Sequence, residues 1–120
     1  MSKFIMRAVG SGFKFDLAAP NGHTIATSEI YETAAACRKG MESVRKNAPK
    51  AALEDQTAEG FKTASNPKFE LYEDKRGAYR FRLKSRNGKT IAVSESYTSK
   101  AACENGIESV RKNAPNAETE

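Results

Sequence analysis

Tryptophan is absent from this chain of 120 residues, histidine occurs once and cysteine twice. No apolar run approaches the roughly 20 residues that a membrane-spanning helix needs. The opening Met1-Ser2-Lys3-Phe4-Ile5-Met6-Arg7 has too short an apolar stretch for a secretory leader. A cytoplasmic location with no membrane partner is therefore expected, and in a reducing compartment Cys37 and Cys103 read as free buried thiols. No separate basic tail exists either. The net charge is +5 and the pI near 9.3, but 15 acidic residues are interspersed among 20 basic ones. Cutting after Thr57 leaves +2 on the first part (8 basic, 6 acidic) and +3 on the second (12 basic, 9 acidic). Such a balance is a mild attraction to polyanions and no signature of nucleic-acid binding.

What is present is a duplication. Shifting the chain by 66 positions lays Phe15 on Phe81, Leu17 on Leu83, Asn21-Gly22 on Asn87-Gly88 and Ser28-Glu29-Ile30-Tyr31 on Ser94-Glu95-Ser96-Tyr97. It also lays Glu42 to Pro49 on Glu108 to Pro115 without a mismatch, and 22 of the 37 positions from Phe13 to Pro49 are identical. The chain divides into a first repeat (1–57), a linker (58–67) and a second repeat (68–120), together one compact domain.

Each unit reads as strands followed by a helix. Phe4, Met6 and Ala8 alternate with polar or outward residues, as do Phe13, Phe15 and Leu17, giving two short strands. Pro20-Asn21-Gly22 turns the chain into a third strand over residues 23 to 28. A type I turn with Gly22 left-handed and a bulge sets Leu17 opposite Ile25 and Phe15 opposite Thr27, with all large apolar groups on one face. The second unit pairs Leu83 with Ile91 and Phe81 with Val93 by the same logic. Thr33 and Ser99 suit helix N-caps, and Pro49 and Pro115 stop the helices. Cys37, Met41, Val44 and Ala48 recur at helical spacing, as do Cys103, Ile107, Val110 and Ala114. Gly40 and Gly106 lie mid-helix, where Gly costs about 1 kcal/mol against Ala, so close approach of helix to sheet is expected there. Residues 52–56 suggest a fourth strand, with a shorter counterpart at 117–120.

The paired Asn-Gly and Ser-Glu-x-Tyr motifs, with Gly-(Met/Ile)-Glu-Ser-Val-Arg-Lys-Asn-Ala-Pro in both helices, resemble the YegP-like family of small bacterial proteins over nearly the whole chain. That resemblance implies two β-β-β-α-β units in one sheet, their last strands exchanged and both helices on one face. It implies no activity, since the family's members are uncharacterised in function. The expected fold is therefore α+β: an antiparallel sheet with two helices on one face, a monomer with an internal pseudo-twofold.

Candidate chemistry is sparse. His23 follows the turn, and Lys89 replaces it in the second repeat, which suits a polar turn residue better than a catalyst or ligand. Cys37 and Cys103 sit near helix starts, where a thiolate would be favoured, but both fall on the apolar face and read as small hydrophobes. Ser28, Glu29 and Tyr31, with Ser94, Glu95 and Tyr97, place a hydroxyl, a carboxylate and a phenol at each strand-to-helix junction. They could hold a small polar ligand or simply satisfy the junction. Arg80, Arg82 and Lys84 share the outward face of one strand beside Tyr72, an arrangement that suits single-stranded nucleic acid. The first repeat carries Lys14, Asp16 and Ala18 instead, so only half the sheet would be basic. No second acid, base or metal cluster accompanies any of these groups. The expectation is a non-enzymatic binding or accessory module with no cofactor, with weak nucleic-acid binding as the alternative and a thiol-dependent enzyme third.

Overall fold

The two-residue alternation from Phe4 onward is realised as β1 (Lys3–Val9) in the computed structural model, which describes all 120 residues. The first unit continues through β2 (Gly12–Ala18), β3 (Thr24–Thr27), α1 (Ala34–Asn47) and β4 (Ala52–Asp55). The second follows as β5 (Lys68–Glu73), β6 (Tyr79–Lys84), β7 (Thr90–Val93), α2 (Lys100–Asn113) and β8 (Glu118–Thr119). All eight strands form one sheet in the order β4-β5-β6-β7-β3-β2-β1-β8. The last strands are exchanged: β4 of the first repeat lies against β5 of the second, and β8 of the second against β1 of the first.

The inner six strands are antiparallel, as expected for the sheet as a whole, but the two exchanged strands pair parallel. Parallel neighbours require a long connection. Between β4 and β5 the segment 56–67 supplies it, and between β1 and β8 the rest of the chain does.

The register corrects the sequence reading in one respect. Gly22 takes φ +85°, its N–H bonds Ala19 O at 2.8 Å, and Asn21 keeps a negative φ, so the turn is the expected type I with a left-handed glycine. Ala18 then faces Thr24, but Leu17 faces Ala26 and Asp16 faces Thr27, because Ile25 is bulged out of the ladder. The second repeat repeats the bulge, with Leu83 opposite Ala92 and Arg82 opposite Val93. The cause is burial. A regular strand would send Ile25 and Ala26 to opposite faces, whereas the bulge lets both, at 6% and 3% exposure, join the core.

Thr33 Oγ1 accepts from Ala36 N–H at 3.0 Å and Ser99 Oγ from Ala102 N–H at 3.1 Å, so both expected caps form. Each helix buries its Cys, Gly, Met or Ile, and Val stripe on the sheet, and a short 3-10 turn carrying Pro49 or Pro115 ends it. Under the helices Phe4 meets Phe15 edge-on at 5.5 Å, and Phe69 meets Phe81 at 5.7 Å. Each such buried ring or leucine contributes about 1.5–3 kcal/mol. The core is continuous across both repeats.

Arg45 and Arg111 lie in the last turns of α1 and α2, where a cation complements the helix dipole, and each also reaches across to the other repeat. Arg45 lies with its guanidinium 4.8 Å from the Phe4 ring and donates to Ala117 O at 2.9 Å and Thr119 Oγ1 at 2.7 Å. Arg111 does the same over Phe69 at 5.3 Å, donating to Ala51 O at 2.8 Å. Each arginine thus clasps the strand that arrives from the other repeat.

Candidate functional site

The Ser-Glu-x-Tyr motifs form where the third strand leaves the sheet. Because of the bulge, Ser28 arrives opposite Phe15. Its N–H bonds Phe15 O at 2.9 Å, its Oγ accepts from Phe15 N–H at 2.9 Å, and the hydroxyl donates to Glu29 O at 2.7 Å. Ser94 does the same with Phe81 and Glu95. Both serines are buried, with their hydroxyls taken up by these backbone bonds. Tyr31 pairs with Phe13 in an isolated bridge, stacks on Phe15 at 6.3 Å and sets its hydroxyl against Gly40. Tyr97 repeats this with Tyr79, Phe81 and Gly106. The two mid-helix glycines are therefore seats for phenol rings. Burial, then the neighbouring Glu29 and Cys37, pushes the Tyr31 phenol up; Tyr97 is raised likewise by burial, Cys103 and Glu95.

Of the three recurrent side chains in each motif, only the carboxylates Glu29 and Glu95 are exposed, and each reaches the other repeat. Lys89 Nζ lies 3.6 Å from Glu29 and His23 Nε2 lies 3.1 Å from Glu95. Position 23 and its counterpart 89 thus share one task, which pairs the turn of each repeat with the junction of the other.

Cys37 and Cys103 are free and fully buried beneath their helices. Burial raises both thiols, Cys103 to about 11, while Arg38 partly offsets the effect at Cys37. Neither is a thiolate at neutral pH.

On the open face Arg80, Arg82, Lys84 and Tyr72 do share one side, but two of the cations are engaged. Arg82 is paired with Glu70 and lies 4.4 Å from the Tyr72 ring centre. Arg80 Nε bonds Asp74 at 2.9 Å, which holds that carboxyl below its usual range. Lys84 has no carboxylate partner, and nor does Lys14, the counterpart of Arg80. Next to Arg82 lies a cluster the sequence reading missed. Lys68 Nζ sits 2.7 Å from Glu54 and 3.2 Å from Glu70, and Ala64 N–H donates to Glu54 at 2.7 Å as the linker folds over the sheet. Burial would raise Glu54, but the bonds from Lys68, Gln56 and Ala64 outweigh it and bring the carboxyl down to about 2. The alternation of Lys68 and Glu70 gave their direction; the linker's return over them had no sequence signal. The first repeat has only an exposed Lys3–Glu120 pair there.

Concavities lie where the repeats meet. One of about 450 Å³ opens on the sheet face at the Thr27–Val93 bridge, with Lys14 and Arg80 on either side and Asp16 and Glu95 among its walls. Two adjoining cavities of about 310 and 280 Å³ form a trough between α1 and the Asn87-Gly88 turn. Its pseudo-twofold counterpart, about 480 Å³, lies between α2 and the Asn21-Gly22 turn. Tyr31 borders the trough; Ser28 and Glu29 do not. No group of three His, Cys, Asp or Glu side chains is placed to hold a metal ion, and no helix is long and apolar enough to cross a membrane.

The duplicated unit and its geometry match known proteins. The family model described as "Domain of unknown function (DUF1508)" matches residues 9–55 and again 74–120. A UPF0339 protein of Photorhabdus laumondii is 37% identical over 108 residues, 90% of this chain and 82% of the relative. One from Treponema denticola is 66% identical over 50 residues, 42% of this chain but 86% of its own length, and so contains little more than one unit. The solution structure of UPF0339 protein SO3888 from Shewanella oneidensis superposes with a TM-score of 0.81 at 29% identity, covering 99% of this chain and 89% of that one. That of the E. coli protein of unknown function yegP gives 0.80 at 29% identity, covering 99% and 90%. With each repeat matched separately and the whole fold superposing on solved relatives, the chain belongs to the DUF1508 (UPF0339, YegP-like) family.

Proposed function

We propose that this chain is a non-catalytic binding module of the cytoplasm, working as a single chain and taking its ligand where the two repeats meet. One observation carries this reading: all the cavities on the surface are lined by residues of both repeats. Both units thus contribute to every concavity of the surface. The polar groups kept in both copies fit the same reading. Ser28, Ser94, Tyr31, Tyr97 and both thiols are engaged in the fold, leaving no free nucleophile beside a base.

A second reading, single-stranded nucleic acid on the open sheet face, is favoured by the unpaired Lys14 and Lys84 flanking Arg80. It is weakened by Arg82, which is paired with Glu70 and occupies one face of Tyr72. Two measurements separate the readings from a thiol enzyme. In the first, alkylation of the native protein is followed against pH. Both thiols are held protonated in the fold above their unfolded value of 9.0, so their contribution to stability is complete below about pH 9 and fades as pH rises, for Cys103 through about 11. Alkylation at neutral pH is then expected only through unfolding, and prompt reaction of the native thiols speaks for an enzyme instead. In the second, short single-stranded oligonucleotides are titrated at low and moderate salt. Salt-sensitive binding that disappears in Arg80→Ala/Lys84→Ala supports the nucleic-acid reading, and no binding removes it.

A further inference from the structure

The trough between α1 and the second repeat's turn and the cleft between α2 and the first repeat's turn are the same structure made twice. Their common parts are preserved: Ser43 and Ser109, Asn47 and Asn113, and Asn87 and Asn21 occupy equivalent positions. The asparagine amide at the helix end donates to the serine one turn back in both, at 2.8 Å to Ser43 O and 2.9 Å to Ser109 O. What differs is charge. The trough walls include Lys39, Arg86 and Lys89 and no carboxylate. The counterparts of those three cations are Asn105, Pro20 and His23, and the second cleft is bordered by one carboxylate, Glu108, and one cation, Lys112. The duplication serves as an internal control, since the equivalent cleft forms with Asn105, Pro20 and His23 in place of the three cations.

The remaining polar groups are set as donors. Asn47 Nδ2 also bonds Ser43 Oγ at 3.1 Å, which leaves the Ser43 hydroxyl proton free to be donated. Asn87 Oδ1 accepts from Lys89 N–H at 3.1 Å and from the buried Ser85 hydroxyl, which fixes the amide and leaves Nδ2 as a free donor. Lys89 reaches Glu29 only at 3.6 Å, and neither Lys39 nor Arg86 is paired with a carboxylate. Lys39 and Lys89 line one of the two adjoining cavities and Arg86 the other, while the donors Ser43 and Asn87 line both; together they match the oxygens of a compact dianion. Asn47, only 8% exposed, lines the trough, and its Oδ1 receives no hydrogen bond from the protein. It is suited to a hydroxyl on the same ligand. The mixed-charge cleft at the sheet seam lacks this match, because Asp16 and Glu95 oppose an anion there.

We infer that the trough formed by Lys39, Ser43, Asn47, Arg86, Asn87 and Lys89 is a binding site for a phosphate group carried on a small hydroxyl-bearing molecule. The inference rests on the binding-module reading and gives it a ligand class. The test is heteronuclear NMR on the intact chain, titrated with inorganic phosphate and separately with a hexose phosphate. The amide signals of Ser43, Asn47, Asn87 and Lys89 are expected to move and saturate, while those of Ser109, Asn113 and Asn21 stay still. The hexose phosphate should bind more tightly than phosphate alone; equal affinities would reduce the ligand to an inorganic anion and overturn the hydroxyl part of the assignment. Lys39→Ala/Arg86→Ala should weaken binding by about tenfold or more, since both side chains are on the surface and leave the fold intact. Conversely, Asn105→Lys/His23→Lys should give the second cleft an affinity it lacked. No saturable shift, equal shifts in both clefts, or shifts indifferent to the charge changes overturn the site. If either probe instead moves only signals around Lys14 and Arg80, the trough is refuted while the binding-module reading survives.

Discussion

Gly40 and Gly106 show how a residue that weakens a helix is held in place by what lies across from it. An ideal Cβ on Gly40 would lie 2.7 Å from Tyr31 Cζ, closer still to its hydroxyl, and 3.1 Å from Phe15 Cε2. Gly40→Ala gains about 1 kcal/mol of helix propensity, but displacing a ring packed between sheet and helix costs about 1–3 kcal/mol. The net expectation in urea unfolding is a loss of stability, partly restored by adding Tyr31→Phe, which removes the closest atom. A stabilised Gly40→Ala protein would show that the ring moves freely. The close approach was legible at this position from two helical glycines at matching places, though not that a tyrosine hydroxyl supplied it. Ser28 and Ser94 were legible only as recurrent polar residues. Their role as acceptors for the Phe15 and Phe81 N–H groups depends on a bulge at Ile25 and Ile91, which sequence alternation concealed.

Among the elements, the exchanged strands are the least secure, and they differ in length. β4 makes four parallel partners on β5, Ala52 to Asp55, whereas β8 makes two on β1. Each is clasped by an arginine from the helix of the other unit, at Ala51 O or Ala117 O. Removing Arg111 deprives the Ala51 carbonyl of a charged donor and Phe69 of its cation, a loss of about 1–3 kcal/mol. Removing Arg45 acts on a strand with only two ladder partners, so the effect should stay local. Hydrogen exchange is expected to show fast exchange confined to residues 118–120 in Arg45→Ala, against a lowered urea midpoint for the whole protein in Arg111→Ala. Equal effects of the two substitutions would show that both strands are held by the ladder alone. The helices, their Thr33 and Ser99 caps and their proline stops followed from local signals, because each acts within a few residues. The parallel pairing of β4 and β8 did not, because it joins segments from different repeats.

At the scale of the molecule, β3 and β7 meet in a single bridge, Thr27 with Val93. The two halves are held more by the shared core, the exchanged strands and the crossed His23–Glu95 and Lys89–Glu29 contacts. Residues 1–57 alone would leave the edge of β1 without the strand that covers it and β4 without a partner. Two copies satisfy both needs by exchanging β4, so this fragment is expected to sediment as a dimer and to unfold at a concentration-dependent midpoint. A folded monomer at micromolar concentration would contradict that picture.

The amino-acid sequence by itself determined the duplication, the order of strands and helices, the apolar face of each and the type I turn at Asn-Gly. These depend on periodicity and on backbone preferences of neighbouring residues, which the chain carries locally. Only the tertiary structure decided that the exchanged edge strands pair parallel, that Arg82 is paired with Glu70 rather than free, and that the concave surfaces lie between the repeats. Each of those outcomes is a meeting of side chains separated by the linker or by a whole repeat, and it exists only once the two units share one core.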